Sequence, residues 1–220
     1  HRRYSEALAQ YRRALELDPA LAAACTGLGK LYTIQGKIDS AFAAFQEAGR
    51  LDEGDPEPPY LMGNLCVRQG QLDRGVPYYE QALERDPSYL RAYVNLAGLH
   101  ARQTDYGPAV AALERGIRAL PQSAELWLRL GRIHLVQAQY PEALEQLRQA
   151  LQFEPGNGEA LEMQAQVYLQ QQDDEAALRV LRGGLDRDST NAALRARLGV
   201  LLFERGEVAE AVAHLEVAIC

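Results

Sequence analysis

The stretch LERDPSYLRAYVNLAGLHARQTDYGPAVAALERGIRALP (residues 83–121) opens on LERDP and closes on the similar IRALP, with Pro87 and Pro121 34 residues apart. The same ending recurs outward as LELDP at 15–19 and LQFEP at 151–155. Pro19, Pro87, Pro121 and Pro155 therefore lie on one 34-residue ruler, with Glu53 of LDEGDP at the missing mark. Small residues stand five places before each mark: Ala14, Ala48, Ala82, Gly116 and Ala150. A second small series stands seven places earlier, at Ala7, Ala41, Gly75, Ala109, Ala143, Ala177 and Ala211. Between them runs a bulky series, Tyr11, Phe45, Tyr79, Leu113, Leu147, Leu181 and Leu215. In the first half of the repeat, Leu28-Gly29, Met62-Gly63, Leu96-Ala97, Leu130-Gly131 and Leu198-Gly199 line up. A fixed period of this size is the mark of a repeat architecture.

Each repeat reads as two helices. Trp127, Leu130 and His134 form an i, i+3, i+7 stripe in the first, and Ala143, Leu147 and Ala150 an i, i+4, i+7 stripe in the second. Two helices joined by a short turn approach closely only where Gly or Ala faces Gly or Ala; bulky neighbours fill the remaining space. Gly36, Gly70 and Gly206 occupy the turn inside the repeat, where a left-handed residue can end a helix. The prolines end the second helix or open the next. Pro77 falls inside a second helix, and a kink is predicted there.

The chain has 220 residues and a formal charge of −7, with 47% hydrophobic and 24% charged residues. This is ordinary globular composition, and the sign of the charge excludes a uniform basic coat for nucleic acid. No run of 18 apolar residues occurs, so no helical membrane span is expected. The opening HRRYSEAL has no targeting pattern, which leaves the compartment undetermined. Cys25, Cys66 and Cys220 are too few and too scattered for a disulfide framework or a zinc site.

The pattern resembles the tetratricopeptide repeat family over essentially the whole chain. The resemblance implies an all-α solenoid of stacked antiparallel helix pairs, about 13 helices wound as a right-handed superhelix. The repeats would be 1–21 (partial), 22–55, 56–89, 90–123, 124–157, 158–191 and 192–220 (partial), forming one array. In such an array the last helix would leave Val212, Leu215 and Ile219 uncovered, offering self-association through an uncapped end.

Chemistry of an enzymatic kind is not found. His100 and His134, one repeat apart, read as core imidazoles rather than metal ligands. GLGK at 27–30 lacks the remaining residues of a phosphate loop, for Ala24 and Leu31 stand where Gly and Ser or Thr are needed. No HExxH or nucleophile elbow occurs. The expectation is no enzyme, no cofactor, no metal and no small-molecule substrate.

The family resemblance implies that the first helix of each repeat lines a concave groove. Its polar residues over repeats 22–157 are Thr26, Lys30, Thr33, Glu57, Tyr60, Asn64, Arg68, Arg91, Asn95, Arg102, Glu125, Arg129 and Arg132. Six are basic and two acidic, an inversion of the overall charge, whereas Glu159, Glu162 and Glu204 outnumber Arg197 farther on. Asn64, Asn95 and Arg129 match part of the family's dicarboxylate clamp; Tyr60 and Glu125 stand where its lysines would be. General capture of an extended peptide is therefore favoured over grip of a chain terminus. The expected site is Lys30, Tyr60, Asn64, Arg68, Arg91, Asn95, Arg102, Arg129 and Arg132. The function expected is a scaffold binding an extended, acidic or carboxylate-bearing protein segment. The competing readings are a structural assembly factor of the bacterial cell-envelope kind, which binds a folded partner or self-associates, and the substrate-reading array of a larger enzyme. Nucleic acid is the weakest candidate, because the basic strip lacks interleaved aromatics apart from Tyr60 and Phe203.

Overall fold

The computed structural model describes the backbone of residues 2–219 and the side chains of residue 4 and residues 6–218. The expectations for Cys220 and for the Ile219 side chain fall outside these. Thirteen α-helices and no strand occur among the described residues. They form two compact units, His1–Ala119 and Leu120–Cys220.

In the first unit the helices are α1 (Arg2–Leu17), α2 (Ala22–Ile34), α3 (Ile38–Leu51), α4 (Glu57–Arg68), α5 (Leu72–Arg85), α6 (Leu90–Arg102) and α7 (Tyr106–Ala119). In the second they are α8 (Ala124–Val136), α9 (Tyr140–Phe153), α10 (Gly158–Gln170), α11 (Asp174–Arg187), α12 (Ala192–Glu204) and α13 (Val208–Ile219). Within each unit every helix packs on its sequence neighbours, and α10 also touches α8 and α12. The period survives into three dimensions: α6, α8, α10 and α12 begin at residues 90, 124, 158 and 192.

The small and bulky series meet as the pattern requires. Ala41, Ala48, Ala82, Ala109, Ala143, Ala150, Ala177 and Ala211 are at most 1% exposed. Phe45, Tyr79, Leu113, Leu147 and Leu181 are equally buried. Each large side chain so removed from water contributes about 1.5–3 kcal/mol. Gly29 and Gly63 lie against the rings of Phe45 and Tyr79 so closely that an added Cβ would stand 2.3 and 2.7 Å from a ring carbon.

The turn inside the repeat is left-handed at the same place every time. Gly36, Gly70 and Gly206 have φ of 73°, 74° and 84°, and Thr104, Ala138 and Gln172 have φ of 59°, 56° and 61°. Between repeats, the Asp18, Asp52, Asp86 and Asp188 carboxylates accept from the backbone N–H two residues on. These side chains replace orphaned helix-end partners with a local turn. Pro19, Pro87, Pro121 and Pro155 sit in that turn and open no helix. Helix α5 continues through Pro77, which has no N–H to give the Asp73 carbonyl.

Candidate functional site

The expected site residues divide between the two units. In the first unit, α4 carries Glu57, Tyr60, Asn64 and Arg68 at i, i+3, i+7, i+11, and α6 carries Arg91, Asn95 and Arg102 at i, i+4, i+11. These spacings put each set on one face of its helix. Asn95 Nδ2 donates to Asn64 Oδ1 at 2.8 Å and to the Tyr60 hydroxyl at 3.2 Å. From α5 below, the Tyr79 hydroxyl donates to the same Asn64 Oδ1 at 2.8 Å. Tyr60, Asn64 and Asn95 are thus brought together and locked by a buried phenol.

The lock sets the orientation of both amides. With Asn64 Oδ1 occupied twice and Asn95 Nδ2 occupied twice, the groups left over are Asn64 Nδ2 and Asn95 Oδ1. Neither takes a protein partner, and neither is among the buried unpaired atoms, so both face water. One donor and one acceptor, held side by side, match the C=O and N–H of a peptide chain. Tyr60 adds a ring surface, 5.9 Å from Tyr79 and 5.4 Å edge-on from Tyr89. Burial pushes the Tyr79 phenol up to about 12, with the Asn95 amide acting in the opposite sense. Burial also raises the Tyr89 phenol, with Glu57 adding to it and Arg91 opposing. Both tyrosines stay neutral at ordinary pH, so the positive charge of the strip is uncancelled by phenolate.

The cations differ in their engagement. Arg68, Arg91 and Arg102 are exposed, and no carboxylate among the described residues pairs with them. Lys30, on α2, is paired to Glu57 on α4 at 2.9 Å. In the second unit Arg129 Nε bonds Glu125 Oε1 one turn back at 2.7 Å, and Arg132 pairs with Glu159. Burial lowers the Arg132 guanidinium from its ordinary value, and the neighbouring Arg129 charge lowers it further. All three tied cations are half-exposed pairs, which stabilise by roughly 0–1 kcal/mol and can be exchanged for another carboxylate at small cost.

Sequence reasoning placed Tyr79 only in the bulky series; its hydroxyl has a function there that Phe45 and Leu113, at the same place, cannot have. Tyr89 lies in the turn before α6 and carried no periodic signal. The histidines differ from expectation: His100 and His134 are half-buried rather than core, and His134 Nδ1 meets Gln139 Oε1 at 2.8 Å. The imidazoles fall at the helix rim, where the last turn meets solvent. Cys25 and Cys66 are buried, and burial raises both thiols, which leaves them protonated and inert. Among the described residues no group of three or more His, Cys, Asp or Glu is assembled to hold a metal, and no helix is long and apolar enough to cross a membrane.

The chain is similar in fold to a range of solved structures. YrrB, "a TPR protein with an unusual peptide-binding site", superposes with a TM-score of 0.58 at 24% identity, over 80% of this chain and 91% of that one. Pseudomonas aeruginosa pilF gives 0.64 at 20% identity, over 76% of each chain. Yeast Tom70 gives 0.66 at 15% identity, over 98% of this chain and 54% of that one. No curated protein matches the chain by sequence. Tetratricopeptide repeat profiles match residues 22–55 and, in overlapping segments, 60–124, 99–158, 128–192 and 162–219, and a TPR repeat profile matches 3–33. With the ruler, the helix pairs and these matches in agreement, the chain belongs to the tetratricopeptide repeat family.

Proposed function

We propose that this chain is a protein-interaction scaffold whose first unit grips an extended, acidic or carboxylate-bearing peptide segment across α4 and α6. The observation that carries the reading is the open pair Asn64 Nδ2 and Asn95 Oδ1, held in place by Tyr60 and Tyr79. The pair holds backbone without reading sequence. Arg68, Arg91 and Arg102 supply guanidinium groups that pair with no carboxylate among the described residues, for the segment's carboxylates, in charge-assisted bonds stronger than neutral ones. Lys30, Arg129 and Arg132 act on the same kind of segment by exchanging Glu57, Glu125 and Glu159 for it. The peptide-binding description of the YrrB structure agrees with this reading. The family's general role as an interaction module agrees as well, and nothing in the site calls for a reaction.

The test is direct binding of a fluorescein-labelled hexaglutamate peptide, with hexaglutamine as control. Asn95→Ala combined with Arg102→Glu should weaken hexaglutamate binding at least tenfold while Tm stays within a few degrees. Equal binding by the variant, or equal binding of the two peptides, would refute the site.

A second reading is association with another copy through the last helix pair. Val200 and Phe203 on α12 and Val208, Val212 and Val217 on α13 are 44–60% exposed, while Leu215 is half-buried against Gly199. Sedimentation velocity across a hundredfold concentration range decides it: a constant monomer excludes this route.

A further inference from the structure

We infer that the first unit carries a slot between α3 and α5 that takes one aromatic side chain of a partner protein. The slot is a cleft of about 370 Å³ lined among others by Gln46 of α3, Gln81 and Arg85 of α5, and Pro59 and Met62 of α4. It opens between the second helices of two repeats. It uses none of the amides and cations proposed above to hold a peptide along α4 and α6, and does not depend on that reading.

The next repeat shows what fills such a slot. There the place of Pro59 is held by Tyr93, which is 4% exposed and donates its hydroxyl to the Pro87 carbonyl at 3.1 Å. Arg115 of α7 bonds Glu80 of α5 through both terminal nitrogens, at 2.8 and 2.9 Å. Burial raises the Tyr93 phenol, with Arg115 opposing and Glu80 adding, so the ring lies beside that bridge. Leu83, also 4% exposed, fills the place that corresponds to Gly49. One repeat farther on, Trp127 holds the ring place and donates its indole N–H to the Pro121 carbonyl at 2.8 Å. Between α3 and α5 the ring is replaced by Pro59, the leucine by Gly49, and the ion pair by Gln46 and Gln81. Those two amides are exposed and bond nothing among the described residues. Two large side chains and one closing bridge are thus missing at a single place, in a fold whose interior is otherwise close-packed.

The lining selects a ring over an aliphatic chain or an anion. Gly49 makes room for the half-buried Arg85, since an added Cβ would stand 3.1 Å from Nη1 and 3.3 Å from Nη2. Arg85 Nη2 donates to the Gly49 carbonyl at 3.1 Å, and Nη1 to the Asp55 and Asp52 carbonyls at 2.9 and 3.3 Å. The terminal N–H edge is thus engaged by backbone, which leaves a carboxylate no fork to meet. The faces of the guanidinium plane remain, and a guanidinium face attracts an aromatic ring. Phe42 and Tyr78, whose rings stand 5.9 Å apart at 52°, also line the cleft. With the Met62 thioether they offer the edge and sulfur contacts that a ring favours. Ligand pockets run from about 300 to 1,000 Å³, so this volume, at the lower end, suits one side chain.

The experiment reads the methionine methyl resonances of the full chain, labelled with 13C at that carbon. Met62 and Met163 are its two methionines, one in the cleft and one on α10 of the second unit, so Met163 is an internal control. Acetyl-Gly-Phe-Gly-amide should shift the Met62 methyl saturably by its ring current and leave Met163 in place. The cyclohexylalanine analogue, of like bulk but without a π face, should compete about fivefold less well. Pro59→Tyr, which supplies the ring that Tyr93 supplies in the next repeat, should abolish the Met62 titration while Tm is kept or raised. Gln46→Glu with Gln81→Arg, which rebuilds the Glu80–Arg115 bridge over the slot, should weaken the peptide several-fold. Asn95→Ala should leave the titration unchanged, which separates the slot from the site on α4 and α6. Without peptide, a Met62 shift that grows with protein concentration would mean that a second copy supplies the ring, and would overturn a foreign occupant. An unmoved Met62, equal competition by the cyclohexylalanine analogue, or an undiminished titration in either variant would overturn the inference. If Pro59→Tyr fails to fold, the parent titration and the glutamine-pair variant still decide the matter.

Discussion

Replacing Gly29 by alanine puts a methyl carbon 2.3 Å from Cε1 and 2.5 Å from Cδ1 of Phe45. Phe45 is 1% exposed and is held in one cluster with Ala41 and Leu65, so its ring must be pushed out of its packed place, towards the cleft it lines with Met62 and Tyr78. Two effects oppose each other. Alanine in a helix interior is favoured over glycine by about 1 kcal/mol. Overpacking a dense core costs about 1–3 kcal/mol, and more when neither side can yield. At a separation well below carbon–carbon contact the upper end applies, and Gly29→Ala should destabilise by about 2 kcal/mol. The repeat supplies its own control. Gly131 occupies the equivalent place, but an added Cβ there would meet Leu147 at 3.1 Å, a gap that a leucine can open by a few tenths of an ångström. Ala97 and Leu113 already coexist at these places in the repeat 90–123, both at most 3% exposed. Gly131→Ala should therefore be close to neutral, because propensity and crowding cancel. The assay is urea unfolding followed by circular dichroism at 222 nm, with the slope checked for constancy, because a repeat chain can lose cooperativity. Phe45→Leu in the Gly29→Ala background should recover most of the loss, giving a coupling free energy of about 1 kcal/mol or more in the double-mutant cycle. A Gly29→Ala chain at least as stable as the parent would refute the packing argument.

Thr104 holds the left-handed place with φ of 59°, so Thr104→Gly should raise stability by about 1 kcal/mol; a loss on urea unfolding would contradict the strain assigned there. Pro77→Ala restores the missing rung to Asp73 in an otherwise continuous helix and should stabilise by about 1–3 kcal/mol; slower amide exchange at residue 77 and its neighbours than at the frayed ends is the check. The folded state raises the Tyr79 phenol from 10.0 to about 12. Its contribution to stability is therefore fully present below pH 10 and is lost as pH rises from 10 towards 12. Tyr79→Phe should flatten the fall in urea midpoint over that window and should remove the step near pH 12 from the absorbance titration at 295 nm; an unchanged titration would contradict the burial. The same variant leaves Asn64 Oδ1 held by Asn95 Nδ2 alone, so it should also weaken hexaglutamate binding if the amide pair needs its lock.

Much of the fold was legible because a solenoid is nearly one-dimensional. Each helix meets mainly its sequence neighbours, so the residues at a contact, such as Gly29 and Phe45, lie at fixed short separations in the chain. Period, helix pairs, the glycine turns and the buried small series could therefore be read from spacing alone. Legibility stopped at side chains whose partners are decided by rotamer and reach. The i, i+4 spacing of Glu125 and Arg129 marks their pair, whereas the reach of Lys30 to Glu57 and of Arg132 to Glu159, each on another helix, is decided by packing. The orientation of Asn64 and Asn95 depends on a phenol from a third helix, and that orientation turns two ordinary amides into an open donor and acceptor. Arg197 reads in the sequence as one cation among glutamates; that its Nε is buried without a hydrogen-bond partner is a product of packing. The sequence by itself determined the family, the helix register and the small residues of the core, since burial there follows from periodicity, but it did not place His100 and His134, which lie at the rim. Only the tertiary structure decided which polar groups remain unpaired, because hydrogen bonds form over about 3 Å and depend on direction, and no periodic pattern records direction.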